Sequence, residues 1–88
     1  MKLFLLRHDE DPTDRYISAV VAAGNEDEAR GLDPVSGVPI LDWEAASTYW
    51  GSSKERVRAQ YLGEADSSIS RGRICNSYQR KESGRSNW

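Results

Sequence analysis

Apolar positions along this chain fall in short, separated groups. Residues 2–7 (Lys-Leu-Phe-Leu-Leu-Arg) form a compact apolar run bounded by charge, the pattern of a strand covered on both faces. The next seven residues, 8–14, carry four acids, a proline and a threonine, a turn-rich connection. Tyr16, Ile17, Val20 and Val21 then predict a second strand over 15–23, ended by Gly24-Asn25. Two such strands joined by a polar loop predict an antiparallel hairpin.

Asn25-Glu26-Asp27-Glu28 has the spacing of a capping box, with Asn25 accepting from orphan N–H groups and acids at the positive helix end. The helix closes through Ala29, Arg30 and Gly31 near Leu32, and Asp33-Pro34 stops it. Two turns are marginal alone, so Ala22, Ala29 and Leu32 are expected to pin it to the sheet. Residues 34–39 read as a turn-rich connector. Asp42 is placed to cap a second helical turn through Glu44, Ala45 and Ala46.

Residues 53–65 fit two patterns. Val57, Tyr61 and Leu62 suit a helical face, while Val57, Ala59 and Tyr61 alternate with Arg58 and Gln60 as in a strand, and Gly63 breaks either. Residues 73–78 predict a last strand, with Ile74 and Tyr78 turned inward.

A length of 88 residues fits one small domain, expected over 1–80, with a polar, basic, frayed tail over 81–88. At 38% hydrophobic and 30% charged, the chain is polar without the signature of disorder. No apolar run is long enough to span a membrane, and no secretory signal is read at the N-terminus. Cys75, the only cysteine, excludes an internal disulfide and suits a reducing, cytoplasmic setting.

The net charge of −2 conceals an asymmetry. Residues 9–44 hold ten acids against Arg15 and Arg30, a local balance of −8, whereas residues 67–88 hold five bases against Glu82, a balance of +4. The acidic residues Asp9, Glu10, Asp11, Asp14, Glu26, Asp27 and Glu28 are candidates to meet a basic protein. Arg71, Arg73, Arg80, Lys81 and Arg85, with Tyr78 or Trp88 for stacking, are the alternative, a nucleic-acid-binding segment.

Signals for catalysis are weak. Leu5 to Glu10 (Leu-Leu-Arg-His-Asp-Glu) resembles the opening of the histidine phosphatase family, with Arg7 and His8 matching its motif. Asp9 stands where that family has glycine, and His8 is the only histidine where the family needs two. The acids from Asp9 to Asp14 lack the spacing of a calcium-binding loop, so no metal and no cofactor are expected. Cys75 beside Ile74 reads as a small buried hydrophobe rather than a nucleophile. Trp43 and Trp50 are expected in the core, with an interaction surface as the other reading.

Three further segments resemble, together and in order, a group of small uncharacterised proteins encoded by bacteriophages and prophages. They are residues 2–7 running into an acidic loop; Ser18-Ala19-Val20-Val21-Ala22-Ala23 with Glu26-Asp27-Glu28-Ala29-Arg30; and Tyr61-Leu62-Gly63-Glu64-Ala65 with Gly72-Arg73-Ile74-Cys75-Asn76-Ser77-Tyr78. The resemblance implies a strand over 55–62 and hence an α+β fold, β-β-α-β-β, an antiparallel sheet with one short helix on one face. It also implies a setting that includes many anti-CRISPR proteins. These are non-enzymatic inhibitors that bind a Cas nuclease or surveillance complex, whose channels are lined with Lys and Arg.

Overall fold

Register decides which side of the sheet each residue serves. In the computed structural model, which describes residues 1–9 and 15–79, the strands are β1 (Lys2–His8), β2 (Arg15–Ala23), β3 (Val57–Glu64) and β4 (Gly72–Gln79). They form one antiparallel sheet in the order β3-β1-β2-β4. The chain is therefore α+β with the β-β-α-β-β order that its resemblance implied. β1 and β2 make the central pair, and residues 65–71 run from one edge of the sheet to the other.

Residues paired across strands share a face. Ala59, Leu6, Ala19 and Asn76 lie along one line, and Tyr61, Phe4, Val21 and Arg73 along the next. Phe4, Leu6, Ala19 and Val21 are buried there against Ala29, Leu32 and Trp50. Among the described residues β1 is thus covered on one face only. Leu3 and Leu5 point to the other side and are half-exposed, so the apolar run over 2–7 is not a doubly covered strand.

Helix α1 (Glu26–Arg30) begins as its sequence demands. Asn25 Oδ1 accepts from the Glu28 N–H at 2.8 Å, while Glu28 Oε1 accepts from the Gly24 N–H at 2.7 Å. Ala29 and Leu32 are fully buried and hold this short helix on the sheet. Ala22, expected beside them, is buried too but faces the opposite side, paired with Leu3. Helix α2 (Trp43–Ala46) is the second helical turn, capped by Asp42 Oδ1 on the Ala45 N–H at 3.1 Å.

The connector between these helices is fastened at Asp33. Asp33 Oδ1 accepts from the N–H groups of Val35 and Ser36, and Oδ2 accepts from the Tyr49 hydroxyl. The resulting loop lies on β4: Asn76 Nδ2 donates to the Pro34 carbonyl at 2.7 Å and Arg73 Nε to the Val35 carbonyl at 3.3 Å. Gly37, at φ +76°, touches the backbone of Gly72 and Arg73.

Three sequence expectations fail on this frame. Gly63 does not end β3 but sits inside it opposite Leu3, where a bulge takes up one extra residue. Ile74 falls at a second register shift and is 44% exposed, and Tyr78 is also exposed, packing edge-on against Tyr16. Cys75 pairs with Val20 on the uncovered side and is exposed, not buried. Of the two tryptophans, Trp50 is fully buried, and Trp43 is partly buried against the core.

Candidate functional site

The acidic candidates are separated in sequence from the bases that the fold brings to them. Asp9, just past β1, has Oδ1 3.4 Å from Arg56 Nη1 and Oδ2 4.0 Å from Arg58 Nη2. Asp27 Oδ2 lies 2.9 Å from Lys54 Nζ, and Glu28 Oε2 lies 3.3 Å from Arg71 Nε. The hydrogen bond from Lys54, then its charge and that of Arg30, hold the Asp27 carboxyl below its ordinary value. Asp27 nevertheless keeps 79% of its side chain exposed. Glu10, Asp11 and Asp14 lie outside the described residues.

Glu26 opens onto a groove between α1 and β3, about 540 Å³ in volume and lined by Glu26, Arg30, Glu55, Val57, Arg58 and Ala59. Two carboxylates and two guanidinium groups share this groove. Three of the acids along residues 9–44, Asp9, Asp27 and Glu28, are met in space by Lys54, Arg56, Arg58 and Arg71. At the start of α1 three carboxylates stand in succession, Glu26 and Asp27 exposed and Glu28 half-buried.

Of the alternative basic set, Arg71 and Arg73 fall among the described residues. Arg71 is engaged with Glu28 and Arg73 with the Val35 carbonyl. Arg80, Lys81, Arg85 and Trp88 lie outside the described residues.

His8 is held rather than poised. Its Nε2–H donates to the Tyr16 carbonyl at 2.6 Å, and its ring meets Trp50 edge-to-face at 4.8 Å between centroids. That geometry ties the end of β1 to the start of β2 and to the core tryptophan. No cluster of three or more His, Cys, Asp or Glu side chains suited to a metal ion occurs among the described residues. No described helix is long and apolar enough to cross a membrane.

The uncovered face of the sheet is a second site, and the sequence reading did not single it out. Its residues fall on three lines. The first is Arg58, Arg7, Ser18 and Ser77; the second is Gln60, Leu5, Val20 and Cys75. The third is Gly63, Leu3, Ala22 and Gly72. Arg7 and Arg58 are the only charged residues on these lines, and they stand directly opposite each other. Like charges so placed repel. Between them and Leu5, Ala59 and Gln60 lies a shallow depression of about 260 Å³. The signal was present in the alternation of Leu3, Leu5 and Arg7 with Phe4, Leu6 and His8, and of Arg58 and Gln60 with Val57, Ala59 and Tyr61.

Comparison of the chain with family models, with curated proteins and with solved structures returned no match.

Proposed function

We propose that this chain is a non-enzymatic inhibitor of phage or mobile-element origin that binds a host defence protein. A Cas nuclease or surveillance-complex subunit in the bacterial cytoplasm is the specific target. The observation that supports this reading is the start of α1, where Glu26 and Asp27 offer exposed carboxylates and Glu28 adds a third that is half-buried. Lys54 and Arg71, the present partners of Asp27 and Glu28, hold them through ion pairs that solvent screens. A partner's buried arginines and lysines can displace such pairs at little cost, and close charge pairs across an interface reach about 1.5–7 kcal/mol. The class of partner comes from the resemblance to small phage proteins and from the basic lining of Cas channels.

The test joins a pull-down against purified Cas complexes with a plaque assay on a CRISPR-immune host. Capture and phage rescue by the full chain are expected, with both lost in Glu26→Lys/Asp27→Lys while the cooperative melt is kept. Failure to rescue phage from any subtype tried removes the Cas target. Rescue undiminished by the double variant moves the contact away from α1.

A further inference from the structure

The uncovered face of the sheet lies opposite the layer that carries α1, and its chemistry is of the other sign. A sheet with one face packed normally turns polar residues to water on the second. Here the centre of that second face is aliphatic: Leu3, Leu5 and Val20 sit side by side, each half-exposed. Beyond them the side chains on β2 and β4 are small, Ser18, Ser77 and Cys75, so among the described residues of this face nothing large stands between an incoming element and the aliphatic patch.

Compensation of the charges on this face comes only from outside it: Arg58 lies beside Asp9 and shares the groove between α1 and β3 with Glu26 and Glu55. Arg7 and Arg58 oppose each other with no carboxylate on the twelve positions that line the face. Arg58 has Asp9 at the 4.0 Å limit and keeps 79% of its side chain exposed. Among the described residues no ion pair or hydrogen bond is made by the Arg7 side chain. Two guanidinium forks flanking a depression over Leu5 and Gln60 suit carboxylates, which arginine grips in bidentate fashion.

Aromatic side chains are missing from these twelve positions, so the face offers no stacking platform for bases. Aliphatic floor and paired arginines instead match an element that alternates aliphatic and acidic positions. A two-layer domain with a bare sheet face is completed most simply by a helix. We propose that this face docks an acidic amphipathic helix of a protein partner. Leu3, Leu5 and Val20 take its aliphatic side chains, and Arg7 and Arg58 take its carboxylates.

The experiment uses the full chain, ¹⁵N-labelled, titrated with a synthetic amphipathic helical peptide that carries Leu on one face and Glu beside it. Controls are the same peptide with Lys for Glu, a short oligothymidylate, and dilution without any probe. Amide shifts gathered at Leu5, Arg7, Val20, Arg58 and Gln60 are expected with the Glu peptide alone. Arg7→Glu/Arg58→Glu should weaken that binding by at least ~10-fold. If this variant loses its native spectrum, Arg7→Gln/Arg58→Gln, which relieves repulsion without adding charge, is expected to fold and to show the same loss. The proposal is overturned if the Glu peptide shifts none of these amides or if the Lys peptide shifts them equally. Tighter oligothymidylate binding on this face overturns it in favour of nucleic acid, and shifts that vanish on dilution overturn it in favour of a second copy.

Discussion

The Tyr49 hydroxyl donates to Asp33 Oδ2, and this bond joins the turn after α2 to the loop after α1. Asp33 is nearly buried, and its other oxygen is occupied by two backbone N–H groups of its own loop. One carboxylate therefore shapes the loop and anchors the segment that delivers Trp50 to the core. The adjoining backbone completes the link, since the Tyr49 carbonyl accepts from the Tyr16 N–H at 2.8 Å.

Burial, then the bond to Asp33, pushes the Tyr49 hydroxyl up from 10.0 to about 12. The folded value exceeds the unfolded one, so the contribution is fully present below about pH 10. It is lost as pH rises toward 12. Tyr49→Phe should cost roughly 1 kcal/mol at neutral pH, a fall of about 4–8 °C in Tm. The gap in Tm between the two proteins should stay constant to pH 10 and narrow above it. Thermal melts from pH 7 to 11.5 check this, and parallel curves would contradict the assignment.

Gly37 is required by both conformation and space. A Cβ at this position, with φ at +76°, would stand 2.4 Å from the Arg73 nitrogen and 3.0 Å from the Gly72 Cα. Both obstacles are backbone of β4, which cannot swing aside as a side chain would. Gly37→Ala is expected to cost roughly 2–4 kcal/mol, combining left-handed strain with overpacking. A urea midpoint lowered in proportion, at unchanged slope, is the result to look for.

Removing the Asn25 cap should be milder. Asn25→Ala leaves the Glu28 N–H without its acceptor and is expected to cost about 1 kcal/mol, whereas Asn25→Asp should be nearly neutral. Hydrogen exchange at the Glu28 amide should rise in the alanine variant first, ahead of any change in β1. Uniform acceleration across the sheet would show instead that α1 and the sheet open as one unit.

Cys75 supplies a direct check on the register of β4. Because it pairs with Val20 on the uncovered face, its thiol should react with a water-soluble disulfide reagent in the native protein at a rate comparable to that in urea. Protection in the native state would place it inward and displace the whole strand by one residue.

Local signals reached most of the architecture, whereas the pattern over residues 53–65 fitted helix and strand alike and only the resemblance chose the strand. The capping box at Asn25 and Glu28, the aspartate cap of α2 and the β-branched run of β2 each act over a few residues, and each forms as expected. The reading of residues 2–7 as doubly covered failed for a physical reason. A short apolar run reports that both sides of a strand avoid charge, but not whether a second layer exists to cover them. Cys75 and Ile74 failed because a bulge reverses the inward and outward sense of a strand, and no single residue announces it. The ion pairs of Asp9, Asp27 and Glu28 were illegible because their partners lie 27 to 49 residues away in the chain.

The order of strands also sets how the molecule must be assembled. β1 and β2 are made first, yet each finds its outer neighbour only in β3 or β4: Phe4 awaits Tyr61, and Val20 awaits Cys75. A nascent hairpin therefore emerges with both lateral hydrogen-bonding edges bare and Leu6 and Val21 uncovered. Such distant pairings slow folding toward the millisecond-to-second range of β-rich domains. They also leave a sticky intermediate for as long as synthesis continues. β4 covers the outer edge of β2, so truncation before it should be felt as aggregation more than as partial activity.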